Sequence, residues 1–238
     1  MEEKLNGIVL SGVSVGENDK ILNIFTLEKG TVSAKIKGVK KAGAKLKFAS
    51  EPFCFAEFLF SSRGDKRTVV GASLTDSFYP LRNDVYRFYC GGAVLEFIRR
   101  FAKEEMVSAE LFLLAVDSLK RLAYGEELPQ SALVRFLISA LKISGYALDF
   151  SACTECGNPL ENRCFFDWTR GGFLCENCFC GTGREIKIST FHALKKAEGG
   201  EAVSASESVA ALRLLDFYLA VRPEEKLNSL KELLKISN

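Results

Sequence analysis

The sequence predicts an α+β chain of more than one domain. A small five-stranded barrel is expected over residues 1–79 and an α-helical domain over residues 80–238, with a four-cysteine metal knuckle inserted at about 151–184. Three observations predict it. Short β-type runs broken by turn clusters fill residues 5–77, and apolar spacing switches from two to three and four residues near Phe78-Tyr79-Pro80. Two Cys-x-x-Cys pairs then interrupt the helical pattern. Composition agrees: 47% hydrophobic and 26% charged residues in 238 suit a globular chain with a sizeable core. No apolar run approaches the ~20 residues of a membrane-spanning helix, and Met1-Glu-Glu-Lys carries no leader signal. A cytoplasmic chain without a membrane partner is expected.

Ile8-Val9-Leu10 opens a first strand that runs to about Val15, and Gly16-Glu-Asn-Asp19 turns it. Ile21 to Leu27 is the second strand, reversed by Glu28-Lys-Gly30. Thr31 to Lys37 alternates, with Val32, Ala34 and Ile36 on one side and Ser33, Lys35 and Lys37 on the other. Phe53 to Phe60 and Thr68 to Leu74 complete five strands. Taken as antiparallel throughout, they suit an OB-fold, a small barrel that often binds oligonucleotides. The fourth strand is apolar on both faces: Phe53 and Phe55 on one, Cys54, Phe58 and Phe60 on the other. One set fills the barrel. The other can stack bases or pack on the helical domain, and packing is the expectation, because exposed apolar patches of that size are uncommon.

The net charge of +2 hides an uneven distribution. Between Ser33 and Ser50 stand Lys35, Lys37, Lys40, Lys41, Lys45 and Lys47, with no acid among them. Gly38 to Leu46 nearly spells a phosphate-binding P-loop, but Ala44 occupies the lysine position and no Ser or Thr follows, so nucleotide hydrolysis is not expected. A flexible basic loop able to follow a phosphate backbone is the better reading. Arg63, Lys66 and Arg67, between strands four and five, extend the candidate surface.

Asn83–Phe101, Ala109–Ala123 and Ser131–Ile143 carry helical apolar spacing, with Pro129 just ahead of the third. After the knuckle come a short helix around Phe191 to Ala197 and a helix from Ala205 to Val221 with a Ser204/Glu207 capping box. This second helix, apolar nearly all round, is expected at the domain centre; Pro223 ends it, and a last helix runs to about Ile236. The knuckle itself is Cys153-Thr-Glu-Cys156, eighteen residues, then Cys175-Glu-Asn-Cys178, which is the spacing of a structural Cys₄ zinc site. With four thiolates no coordination position is left for water, so the one Zn²⁺ ion is expected to hold structure. Cys54 and Cys90 read as core thiols, Cys164 and Cys180 as neighbours of the site, and Trp168 as a cover over the knuckle. The lone His192 has no partner patterned for catalysis, and no active site is expected.

The order of these parts resembles the bacterial RecO family of recombination and repair proteins. The matching stretches are Gly16-Glu-Asn-Asp-Lys-Ile-Leu22, Phe25-Thr-Leu-Glu-Lys-Gly30, Lys37-Gly-Val-Lys-Lys41, Pro52-Phe53, Leu81-Arg82 and the cysteine segment with Phe166-Asp167 and Gly171-Gly172. The resemblance implies a mediator, not an enzyme, that binds and anneals single- and double-stranded DNA. It also implies RecR and the C-terminal tail of single-strand-binding protein as partners, RecA loading as the outcome, and a nucleoid-associated location. It puts the DNA contacts on Lys35, Lys37, Lys40, Lys41, Lys45 and Lys47, then Arg63, Lys66 and Arg67. Two rival classes stay open: a zinc-ribbon RNA- or ribosome-binding factor, and a Cys-x-x-Cys thiol-redox enzyme.

Overall fold

The computed structural model of the protein describes residues 2–64, 66–104, 106–181 and 183–237. β1 (Glu2–Val15), β2 (Asp19–Thr26), β3 (Gly30–Ile36), β4 (Phe55–Arg63) and β5 (Lys66–Asp76) close a barrel in the order β1-β2-β3-β5-β4. β1 is long because it serves two partners. Glu2 to Ile8 pairs with β4 and Gly7 to Val15 with β2, and a bulge between Val9 and Ser11 bends it from one to the other. The expectation of antiparallel pairing throughout is corrected at the closure. There β3 and β5 run parallel, joined through Lys35 with Thr68 and Ile36 with Val69. Hairpin neighbours must be antiparallel, whereas strands separated by a longer connection are free to run the same way.

Alternation decides what lies inside. Val32, Ala34 and Ile36 join Leu22, Ile24, Phe58 and Phe60 in the barrel core, while Ser33 and Lys35 face out. The segment after β3 is not the flexible loop expected from its lysines. Val39 and Ala49 are buried in the barrel cluster, with Leu46 and Phe48 packed against it. Successive turns tie Lys41 to Gly38, Ala44 to Lys41 and Lys47 to Ala44. At ~25 cal/mol per Å² of apolar area buried, such anchors contribute a few kcal/mol and hold the segment against the barrel.

Among the described residues six α-helices follow: α1 (Val85–Phe101), α2 (Ala109–Tyr124), α3 (Pro129–Ile143), α4 (Ile188–Glu198), α5 (Ala205–Val221) and α6 (Asn228–Ile236). Their starts are chemical. Asp84 accepts from the Arg87 N–H, Ser108 from the Leu111 N–H, Pro129 opens α3, and Ser204 with Glu207 forms the capping box. A cap of this kind contributes ~1 kcal/mol. α3 packs on α1, α2, α4 and α5, so it, and not α5, is the helical centre. α5 keeps Arg213 in solvent and only half buries Asp216 and Phe217.

The barrel's second apolar face packs on these helices. Phe25 and Phe55 lie 5.6 and 6.0 Å from the Phe112 ring, and Phe53 lies 6.0 Å from Phe88. Those rings are therefore committed to the core and not offered to bases. Arg82 ties the junction together: it donates to the carbonyls of Pro52 (2.7 Å) and Ser77 (2.9 Å) and lies 5.4 Å over the Phe53 ring. Phe53 and Phe78 hold left-handed φ values of 71° and 44°. Each is strained by ~1–3 kcal/mol, offset here by nearly complete burial.

A second tie runs from β3 to the α1–α2 connection, where the Thr31 hydroxyl donates to the Ala102 carbonyl at 3.4 Å. Thr31 bridges to Glu104 in the α1–α2 connection, and beside it Gly30 has φ +66°, with a Cβ there only 2.3 Å from the Met106 carbonyl oxygen. Alanine at this site needs both an unfavourable φ and a backbone shift. Gly30→Ala is expected to cost about 2 kcal/mol or more and to lower the urea midpoint. An unchanged midpoint would mean that the contact gives way freely.

The knuckle is a three-stranded sheet of β6 (Cys164–Asp167), β7 (Gly172–Cys175) and β8 (Arg184–Ile186), in the order β7-β6-β8. Its apolar side merges with the helical core: Phe166 meets Tyr218 at 5.5 Å and Phe173 meets Phe191 at 5.0 Å. Trp168, expected to pack over the knuckle, has its ring between the knuckle and α5. Its ring stands edge-on to Phe217 of α5 at 5.5 Å, bracing the knuckle against the helix. Among the described residues, no helix is long and apolar enough to cross a membrane.

Candidate nucleic-acid interface and metal centre

The strongest sequence signal closes into a cluster. The Sγ atoms of Cys153, Cys156, Cys175 and Cys178 all lie within 4.8 Å of one another. Four Zn–S bonds of ~2.3 Å in a tetrahedron place sulfurs ~3.8 Å apart, and Cys156 and Cys175 stand at 3.8 Å. The first pair is shaped by a tight turn: the Gly157 N–H donates to the Cys153 carbonyl (2.8 Å) and the Cys153 N–H to the Asn158 carbonyl (2.9 Å). Gly157 sits at φ +73°, a conformation that suits glycine. The second pair leaves the end of β7, where the Cys175 N–H points at the Cys153 sulfur (3.4 Å).

These surroundings act on the thiols. Burial pushes Cys153 up, but the N–H groups of Cys156, Cys175 and Glu155 outweigh it and bring the thiol down to about 6. Hydrogen bonds with the Cys156 and Cys175 sulfurs push Cys178 the other way. A divalent cation bound by these four sulfurs takes the place of the thiol protons. Four soft sulfur donors at this spacing fit zinc.

The other cysteines stand apart. Burial pushes Cys54 and Cys164 up to about 12 and raises Cys90 as well. Cys164 pairs with Cys175 across the sheet but stays outside the cluster, as does the exposed Cys180. Two knuckle cations are neutralised locally, Arg163 by Glu176 (2.7 Å) and Glu185 (2.9 Å) and Arg170 by Glu155 and Asp167, while Arg184 lies 5.3 Å over the Phe217 ring. His192 is exposed on α4, its ring 5.5 Å from that of Phe191.

The positive surface lies on the barrel. A groove of about 670 Å³ opens at the β3–β5 closure, lined by Lys35, Lys37, Arg63, Lys66 and Arg67. Five of the nine basic residues singled out in the sequence therefore converge. Ser33, Ser61 and Thr68 add hydroxyls, Val15 and Ile21 an aliphatic wall, and Glu104 stands at one border. The hydroxyls were not anticipated, although Ser33 shares its parity with Lys35, and Ser61 pairs with Thr68 across β4 and β5. The other four basic residues, Lys40, Lys41, Lys45 and Lys47, are exposed on the turn segment beyond the groove.

The acids missing from the lysine stretch arrive from elsewhere. Asp19 meets Lys35 at 2.8 Å, and Glu3 approaches Arg67 at 3.8 Å and also pairs with Lys29. Among the described residues Lys37, Arg63 and Lys66 have no ion-pair partner. Among the described residues no aromatic ring lines the groove, so its means of holding a polyanion are ammonium, guanidinium and hydroxyl groups.

Two family models match the chain: "Recombination protein O N terminal" over residues 1–78 and "Recombination protein O C terminal" over residues 82–231. Curated relatives carry the name DNA repair protein RecO. The one from Anaeromyxobacter sp. (strain K) is 35% identical over 213 residues, which is 87% of this chain and 84% of the relative. The one from Streptomyces avermitilis is 36% identical over 181 residues, 73% of each. The one from Acetivibrio thermocellus is 31% identical over 186 residues, 78% of this chain and 74% of the relative.

Proposed function

The chain belongs to the recombination protein O family, and from that premise we propose that it is a DNA-binding mediator of recombinational repair. It binds single- and double-stranded DNA through the barrel, anneals complementary strands, and works with RecR to load RecA onto strands coated with single-strand-binding protein, whose C-terminal tail it engages. It makes and breaks no bond and acts in the cytoplasm, at the nucleoid. The observation that carries this reading is the groove at the β3–β5 closure. There Lys35, Lys37, Arg63, Lys66 and Arg67 converge with three hydroxyls, against Asp19, Glu3 and Glu104 among the described residues.

A surface of this kind neutralises phosphates without consulting bases. Annealing needs little more. Holding two strands against one cationic surface lowers their repulsion and raises their local concentration. Lys40, Lys41, Lys45 and Lys47 extend the charge beyond the groove and give a second stretch of strand a place to lie. Cys153, Cys156, Cys175 and Cys178 hold one Zn²⁺ ion, which supplies a structural cross-link and leaves no ligand position for substrate.

The test is annealing of two complementary oligonucleotides coated with single-strand-binding protein, followed by fluorescence over a salt series. Acceleration that fades as salt rises is expected. No acceleration by the folded, zinc-loaded protein would reduce it to a passive binder and direct the work to RNA.

A further inference from the structure

The lysine segment is held at its start by Asn18 and Asp19 and at its end by Lys20, three consecutive residues at the entry to β2. At its start, the Gly38 N–H donates to Asp19 Oδ1 at 2.8 Å, and the Lys40 N–H donates to the Asn18 carbonyl at 3.1 Å. At its end, Lys20 Nζ reaches the Ser50 carbonyl (3.4 Å), Ser50 Oγ (3.3 Å) and the Glu51 carboxylate (3.1 Å). Ser50 is buried, and its hydroxyl in turn donates to the Lys47 carbonyl at 2.9 Å. The remaining Asp19 oxygen, Oδ2, takes the Lys35 ammonium in the groove at 2.8 Å.

We propose that Asp19 and Lys20 form a two-point clamp that fixes where Lys40, Lys41, Lys45 and Lys47 stand relative to the groove. The inference rests on the nucleic-acid reading above and assigns the clamp as its positioning element. A carboxylate beside a phosphate site repels the ligand, so Asp19 by its charge alone weakens binding. Its two oxygens do different work. Oδ1 orders the segment; Oδ2 restrains Lys35. Lysines on an ordered segment meet phosphates with less conformational entropy to lose than lysines on a loose one. Val39 and Ala49 keep the segment on the barrel, and the clamp sets its two ends.

Asparagine at position 19 separates the two roles, because its carboxamide oxygen still accepts from Gly38 while the charge that restrains Lys35 is gone. Two readouts decide the matter: trypsin cleavage after the segment lysines without nucleic acid, and the salt dependence of binding to a thymine oligonucleotide. Asp19→Asn is expected to be cut at the parent rate and to steepen the log–log salt slope by about 0.7, one further phosphate contact on a single strand. Asp19→Ala and, independently, Lys20→Met are expected to be cut roughly tenfold faster and to bind more weakly than Asp19→Asn, with the loss spread evenly over sequences.

If Asp19→Ala matches Asp19→Asn in both readouts, Asp19 balances charge and the clamp is overturned. The same holds if Lys20→Met is cut at the parent rate. Absence of oligonucleotide binding by the parent chain would sink the nucleic-acid reading instead, while the trypsin comparison would still decide whether the clamp exists.

Discussion

If the four-cysteine cluster holds the proposed zinc ion, stripping it with a chelator, or replacing Cys175 with serine, is expected to lower the melting temperature by about 8–16 °C. This corresponds to a loss of about 4 kcal/mol at ~2–4 °C per kcal/mol for a chain of this size. Binding a structural zinc ion is worth ~10–16 kcal/mol in isolated finger peptides. Only part of that is coupled to melting here, since the apolar side of the knuckle has its own packing. The coupling runs through Phe166 against Tyr218 and Phe173 against Phe191, which place β6 and β7 in the helical core. With the ion gone, four sulfurs stay crowded within 4.8 Å of one another and the two turns that carry them lose their cross-link. DNA affinity per folded molecule is expected to stay within about twofold, because the groove residues all lie on the barrel or its border. Differential scanning calorimetry with zinc quantified in the same sample checks both. A zinc-free protein that melts normally would remove the structural role.

The knuckle was legible because a metal site is written in local spacing. Two intervening residues per pair and a glycine after the first are enough, and no distant contact has to be known. β3 was legible for a similar reason. One buried face forces the alternation of Val32, Ala34 and Ile36 with Ser33 and Lys35.

What the sequence hid depends on distant partners. The first residues of β1 carry no apolar run, yet Glu2 to Asn6 are strand because their backbone pairs with β4. Closure in parallel through two residue pairs leaves no pattern to read. The lysine segment looked like a free loop because charge dominates its composition, while Val39 and Ala49, which anchor it, are two residues among many. Asp19, Glu3 and Glu51, which pair with basic residues around the groove and segment, come from other strands and turns. Phe217, the ring that Trp168 meets, comes from α5, about fifty residues on, and no local pattern pairs the two. The groove itself was half legible. Its lysines stood out by charge, whereas Ser61 and Thr68 become neighbours only once β4 and β5 are paired.

Reversing Arg63 and Lys66 together to glutamate is expected to weaken binding to a single-stranded oligonucleotide by at least about a hundredfold, because like charges set against each other cost several kcal/mol. Both line the groove and lack an ion-pair partner among the described residues, so in the parent their charge is available to phosphate. The neutral Arg63→Gln, Lys66→Gln protein gives the cleaner number. If the four groove cations other than the Asp19-restrained Lys35 each meet one phosphate, the parent log–log salt slope is about −2.8, and losing two contacts brings it to about −1.4. The same exchange at Lys45 and Lys47 is expected to flatten the slope less on short oligonucleotides that fill only the groove, and comparably on long ones that reach the segment. Fluorescence anisotropy with oligonucleotides of two lengths measures this directly. Equal effects at both lengths would make the groove and the segment one continuous site. No effect from Arg63 and Lys66 at either length would move the interface off the β3–β5 closure altogether.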